Sequence, residues 1–287
     1  MTSANYLRPT SLGDALEAMA TSSDARFVAG GTDLMVGLRK RRETCPTMIS
    51  LRRVAELKGL EWTGDRLRIG AAMPLSDIVA QEAVGQKFPA LAQSIAVLGS
   101  VQIRNVATLG GNLCNASPAA DTAPALLAYD AQVELASING TRQVALDEFF
   151  TGPGATQVRP GEILAAVLLQ ASPSAGSAFT RLGRVRMDLA QASAAALLEM
   201  KDGRCLRARV AVGAVAPTPL RLSGVEDLLQ GSSLDPDTLA QAQRSVAGLI
   251  SPISDLRASA VYRRRITPVL VKRAVVAAAQ VAAGGKS

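Results

Sequence analysis

The stretch FVAGGTDL runs from Phe27 to Leu34, and further along the chain reads ATLGGNLCNASPAAD, Ala107 to Asp121. Each carries a Gly-Gly pair followed by small hydroxyl, amide and carboxylate side chains. The first reads as a short buried strand running into a tight turn, with Thr32 and Asp33 placed to cap a helix carrying Leu34, Met35 and Leu38. Glycine admits positive φ and close approach of a ligand to the main chain. Successive N–H groups with a helix start behind them form a nest for phosphate oxygens. The second stretch, with Thr108, Gly110 and Gly111, again offers bare backbone amides. Asn112, Asn115, Ser117 and Asp121 add donors and acceptors, and a carboxylate such as Asp121 suits ribose hydroxyls. Two nests and a sugar-binding carboxylate match a dinucleotide with a pyrophosphate and two sugar-like arms. No G-x-G-x-x-G is present, so the site is not of the Rossmann kind. The closing GGKS imitates the end of a phosphate loop, but Gln280 stands where its first glycine belongs.

Around these two turns the chain divides into three parts. Residues 1–55 read as a small α/β unit with parallel strands: a hydroxyl-capped helix start at Thr10-Ser11, the strand into FVAGG, and a strand at TMISLRRV. Residues 56–172 read as an antiparallel α+β unit. LEWTGDRLRIG is a hairpin turning at Gly64-Asp65, PLSDIVAQEAV and FPALAQSIAVLGS are helical, a helix starts near Pro124, and QVELASINGTRQVAL is a hairpin around Asn139-Gly140. The small-residue stretch ASPSAGSA marks the junction to a C-terminal α+β unit, 173–287, with strands at FTRLG, ASAAALLEM and LRARVAVGAVAP. Helices at about 223–230, 236–250 and 257–282 complete it.

Composition excludes several functions. The 287 residues contain no histidine, which removes His-based acid–base catalysis, His metal sites and a histidyl-linked flavin. Cys45, Cys114 and Cys205 fit no metal or iron–sulfur spacing, so no metal ligand is assigned; an odd, sparse set suits a reduced cytoplasmic protein. The net charge of +7 is scattered and the few aromatics do not alternate with it, which argues against nucleic acid. No apolar run reaches membrane-spanning length. Abundant alanine points to packing through small residues.

FVAGGTDL, TLGGNLCNASPAAD, GEIL, LGRVRMDLA and SDLRASAVYRRR occur in that order across nearly the whole chain. Together they resemble the FAD-binding medium subunit of the molybdenum hydroxylases, the family of xanthine, carbon monoxide and nicotinate dehydrogenases. The resemblance implies a three-domain, non-Rossmann α+β fold of the PCMH type, with non-covalent FAD between the first and second domains. Val28, Ala29, Gly30, Gly31, Thr32, Asp33 and Leu34 would wrap the pyrophosphate. Thr108, Gly110, Gly111 and Asn112 would close over it, with Asn115 and Ser117 beside them. Asp121 matches the family's acidic ligand, Leu164 an apolar contact, and Arg181 a position near the flavin where relatives often carry Lys or Tyr. Leu98 falls where some relatives place an aromatic contact.

The same resemblance implies partners: a large molybdopterin-binding subunit and a small subunit with two 2Fe–2S clusters, arranged as a dimer of heterotrimers. This chain would pass their electrons through FAD to an acceptor that the sequence does not identify, with no catalytic residue of its own. Two other readings stand beside it, a stand-alone non-covalent FAD oxidoreductase and a non-catalytic module that keeps the fold. Leu98 and Leu164 also read as core residues, Cys114 as a small buried hydrophobe or a flavin neighbour, and RKRR (39–42) as a solvated helix end. RASAVYRRR reads as a structural helix start with Tyr262 packing across domains.

Overall fold

The computed structural model describes residues 5–22, 24–40 and 45–284. The N-terminal unit is built from β1 (Asn5–Leu7), α1 (Leu12–Ala20), β2 (Ala25–Val28), α2 (Leu34–Arg39) and β3 (Thr47–Ser50). Its strands form a parallel sheet in the order β1-β3-β2. Ser11 caps α1 by accepting from the Asp14 amide at 3.1 Å, which supplies one of the donors a helix start leaves unpaired. The apolar face of α1 and the β3 residue Ile49 pack on Ala136, Ile163 and Ala165, so this unit rests on strands contributed by the next part of the chain.

That next part begins with the hairpin β4 (Leu60–Thr63) and β5 (Arg66–Gly70) and continues through short helices α3 (Leu75–Val79), α4 (Glu82–Lys87), α5 (Pro89–Val97), α6 (Val101–Arg104), α7 (Leu109–Cys114) and α8 (Thr122–Ala128). A second hairpin, β6 (Gln132–Ser137) and β7 (Gly140–Ala145), is followed by α9 (Leu146–Phe149), the ribbon β8 (Phe150–Gly152) and β9 (Ala155–Thr156), and β10 (Ile163–Gln170). The sheet is antiparallel throughout, in the order β4-β5-β10-β6-β7. The second hairpin turns on Ile138-Asn139, one position before the expected Asn139-Gly140, and Gly140 at φ +119° already pairs with Ser137.

The last part is a meander, β11 (Ala175–Leu182), β12 (Ala192–Lys201), β13 (Arg204–Gly213) and β14 (Leu220–Arg221), followed by α10 (Ser223–Leu229), α11 (Pro236–Leu249) and α12 (Ala260–Ala282). The run ASAAALLEM is apolar at every step because both faces of β12 are covered. Ala195 and Leu197 face the core of the middle unit, while Ala194, Ala196 and Leu198 face α10–α12. Alanine suits that position. At Gly176 of β11, α12 lies so close that a Cβ would stand 2.1 Å from the Ala278 carbonyl oxygen.

RASAVYRRR is the helix start expected, with Ser259 capping α12, but one expectation for it changes. Tyr262 is exposed rather than packed away between units. Arg263 makes the inward connection instead: it is buried, donates to the carbonyls of Gln191 (2.5 Å) and Ala214 (2.8 Å), and pairs with Asp255 at 2.8 Å. Burial would raise the Asp255 carboxyl, but hydrogen bonds from Arg257, Ala258 and Arg263 hold it well below the usual range. Arg39 and Lys40 of the basic run are exposed at the end of α2, while residues 41 and 42 lie outside the described residues, as do the last three residues of GGKS.

Candidate functional site

The loop 29–33 leaves the carboxyl end of parallel strand β2 and enters α2. In open α/β sheets this is where ligands gather, because helix starts and unpaired amides converge there. Gly31 has φ +75°, a conformation that needs glycine, and a Cβ there would come 3.2 Å from the Met35 side chain. Among the described residues nothing accepts a hydrogen bond from the amides of Gly30, Gly31 or Thr32. Asp33 occupies the N-cap position of α2 without a side-chain cap bond, and the Thr32 hydroxyl donates weakly to it at 3.5 Å.

The second Gly-Gly stretch is not the loop with bare amides that its composition promises. It is the first turn of α7, capped by Thr108, whose hydroxyl accepts from the Gly111 amide at 3.0 Å. Leu109 donates to Met73, Gly110 to the Ala71 carbonyl at 2.9 Å, and Asn112 to the Thr108 carbonyl. Every amide from Leu109 to Asn112 is therefore spent inside the protein. Gly110 is glycine for packing, since its Cβ would meet that of Ala71 at 2.6 Å. One nest remains, at Gly30–Thr32.

Both stretches line one cavity of about 600 Å³. It brings together Val28 through Leu34, Thr108, Gly111, Asn112, Asn115, Ser117 and Asp121, residues remote in sequence. An adjoining cavity of about 370 Å³ shares Arg26, Phe27, Ala29, Gly111 and Cys114 with it and holds Gly110 and Leu164. The two make an elongated cleft, a shape that suits a long two-armed ligand. Leu164 is both things expected of it, a nearly buried core residue and a wall of the smaller cavity. Leu98 lines the larger one. Cys114 is exposed and lines both, so it is not the sealed core hydrophobe of its first reading, although the protein packed around its thiol displaces enough water to push it up to about 12.

Asp121 is nearly buried, and burial pushes its carboxyl up to about 7 even though the Arg181 guanidinium pulls the other way. Its Oδ1 lies 3.1 Å from Arg181 Nε, close enough for charge pairing, yet neither atom gains a hydrogen bond from the contact. Arg181 itself corrects an expectation. It does not line the cavity but sits behind Asp121, with its guanidinium on the carbonyls of Val97, Arg186 and Asp188. Asn112 is held by the Thr122 hydroxyl, which donates to its Oδ1 at 2.6 Å.

Sequence reading missed Gly99, Ile103, Gly154, Met187 and Leu189, which complete the wall. Gly99 and Ile103 come from the turn after α5 and from α6, Gly154 from the β8–β9 ribbon, and Met187 and Leu189 from the segment after β11, where LGRVRMDLA reads as a motif but not as part of the site. Among the described residues no group of acidic or cysteine side chains could hold a metal ion, and no helix is long and apolar enough to cross a membrane.

A fold with this cleft matches known proteins. Residues 2–169 match the family model for the FAD binding domain in molybdopterin dehydrogenase, more than half of the chain. The chain belongs to the FAD-binding medium subunits of the molybdenum hydroxylases. Residues 177–278 of this medium subunit match the CO dehydrogenase flavoprotein C-terminal domain. It is 35% identical over 287 residues to the xanthine dehydrogenase FAD-binding subunit of Escherichia coli O157:H7, covering 99% of this chain and 98% of that one. It is 32% identical to the carbon monoxide dehydrogenase medium chain of Afipia carboxidovorans, over 94% of this chain and 95% of that one. Among solved structures, quinoline 2-oxidoreductase from Pseudomonas putida 86 superposes with a TM-score of 0.93 at 30% identity, covering 98% of each chain. The medium subunit is thus an FAD-binding component of an oxidoreductase, with the α+β fold of that family.

Proposed function

We propose that non-covalent FAD lies along the elongated cleft, and that this chain carries electrons from 2Fe–2S clusters of a small partner subunit to an external acceptor. A large molybdopterin-binding subunit oxidises the substrate, and the assembly is a dimer of heterotrimers in the cytoplasm. The observation that carries the reading is the set of unpaired amides at Gly30, Gly31 and Thr32, opening onto a cavity that Asn112, Asn115, Ser117 and Asp121 also line. The residues fit the group. Three donors without acceptors match pyrophosphate oxygens, and the short polar side chains match sugar-like hydroxyls.

When bound, FAD supplies the capacity to take up and release electrons singly or in pairs. The chain's own residues bind and orient it. The amides of Gly30–Thr32 donate to phosphate oxygens. Asp121, with Asn112 and Ser117 nearby, meets hydroxyls. Leu98, Ile103, Met187 and Leu189 give the cavity its apolar walls and exclude water. Gly110 and Leu164 wall the smaller cavity, where an aromatic ring system would bury apolar surface. No residue is asked to move a proton, which agrees with a chain devoid of histidine.

Purification of the complex from its host through a tag on this chain, with flavin, iron and molybdenum assayed together, tests the reading. Extractable FAD with iron, molybdenum and two co-purifying chains supports it. FAD on a single chain without either metal replaces it with a stand-alone flavoprotein.

A further inference from the structure

The guanidinium of Arg181 touches three separate segments of the cavity wall, and nothing in its sequence neighbourhood announces this. Arg181 lies on β11, with a side chain only 7% exposed. Nη1 donates to the Val97 carbonyl at the end of α5 (3.0 Å) and to the Arg186 carbonyl (3.2 Å). Nη2 donates to the Asp188 carbonyl, and Nε faces Asp121 at 3.1 Å. We infer that Arg181 is a positioning residue for the FAD site: one side chain fixes Asp121, the Leu98 end of α5 and the Met187–Leu189 wall at their working distances. The inference rests on the FAD reading of the cavity, although the first readout below does not.

Three observations favour this role over direct contact with the ligand. First, Nη1 and Nη2 make three hydrogen bonds within the protein while Nε faces the Asp121 carboxylate, and the residue lines neither cavity of the cleft. Second, the segment it holds has little else to order it. Among the described residues, the other hydrogen bonds and ion pairs between Gly183 and Leu189 are the Asp188 amide on the Val185 carbonyl and an exposed Arg184–Asp188 pair. Val185, Met187 and Leu189 are all more than half exposed, so the segment is not anchored by a buried core. Third, only a planar fork can reach carbonyls on two sides and a carboxylate on a third. Lysine has the charge but not the span.

The test uses the full chain with Arg181→Gln, Arg181→Lys and wild type. Arg184 and Arg186 make the segment a tryptic target, so limited trypsinolysis without FAD reads its release directly. Cleavage after Arg184 or Arg186 is expected to be about tenfold faster in both variants, the size of losing one to two charge-assisted hydrogen bonds. Arg181→Lys keeps a cation opposite Asp121, so it separates loss of the fork from loss of charge or of folding. With FAD, both variants are expected to bind about tenfold more weakly or worse and to show a broadened flavin absorption band as water enters. Unchanged cleavage together with a wild-type flavin band in Arg181→Lys would overturn the inference. If trypsin accelerates but not even wild type binds FAD, the clamp stands and the FAD reading fails.

Discussion

Gly30 and Val106 meet backbone to backbone: a Cβ on Gly30 would stand 2.1 Å from the Val106 carbonyl oxygen. This contact brings the Gly30–Thr32 loop of the N-terminal unit up against the segment that leads into α7, and so assembles one cavity from two distant stretches. Gly30→Ala is therefore expected to open the cleft, because backbone cannot yield as a side-chain tip does. The cost is expected to be about 2–3 kcal/mol of stability, with loss of FAD binding. Gly85→Ala is the control. It lies inside α4, where a new methyl would touch nothing within 4 Å, and should stabilise by about 0.5–1 kcal/mol. Chemical denaturation of the two variants checks both signs.

Gly31 makes a different demand. Its φ of +75° strains any side chain, and a Cβ would press on Met35 rather than fill the nest. Gly31→Val should thus lose FAD affinity by displacing the loop, and Gly31→Asn, which tolerates positive φ, should retain more of it than valine does. Equal losses in a binding titration would contradict this.

The Thr108 cap gives a third expectation. Thr108→Val removes the acceptor of the Gly111 amide and should cost about 1 kcal/mol, while Thr108→Ser should restore most of it. Urea denaturation distinguishes the pair.

Much of the architecture was legible before any coordinates. The hairpin at Gly64-Asp65, the strands of the meander and the helices of the C-terminal part follow from turn residues and apolar periodicity, which are local signals. TLGGN misled because two glycines are poor helix formers. Its helix is held from outside, by Ala71 and Met73 accepting from its amides and by a Gly110 contact that no other residue could make. Most of the large cavity's lining was legible too, since the two motifs supply eighteen of its residues. Gly154 was not, because it reaches the wall through tertiary contacts alone, and LGRVRMDLA was noticed without any sign that its Met187 and Leu189 would turn towards the cavity. Arg181 was noticed for its position, but its work on Val97, Asp121 and residues 186–188 depends on three segments meeting.

Asp121 predicts a pH dependence. Its folded pKa of about 7 stands above the unfolded value, because burial disfavours the charged form more than Arg181 favours it. The stability associated with the protonated carboxyl is present in full below the unfolded pKa and is lost as pH rises through about 7. In the FAD-free chain, wild type should lose on the order of 2–3 kcal/mol more than Asp121→Asn between pH 5 and pH 8. Parallel stability curves for the two proteins would show that Asp121 does not titrate in this window.

Arg263 tests the anchoring of the C-terminal helix. Arg263→Met would leave the Gln191 and Ala214 carbonyls without this donor, while Asp255 keeps Arg257, at a cost of about 2–3 kcal/mol. Tyr262→Ala, on the exposed neighbour, should cost under about 1 kcal/mol. Thermal melts of both variants give the comparison.

The central claim is that the cleft between the two Gly-Gly stretches holds FAD by its pyrophosphate. The most direct measurement is an equilibrium titration of the purified full chain, stripped of flavin, with FAD and separately with FMN. Saturation at one FAD per chain is expected, with FMN much weaker because it lacks the pyrophosphate that the Gly30–Thr32 amides would hold. Equal affinity for both, or no saturable binding of FAD, would contradict it.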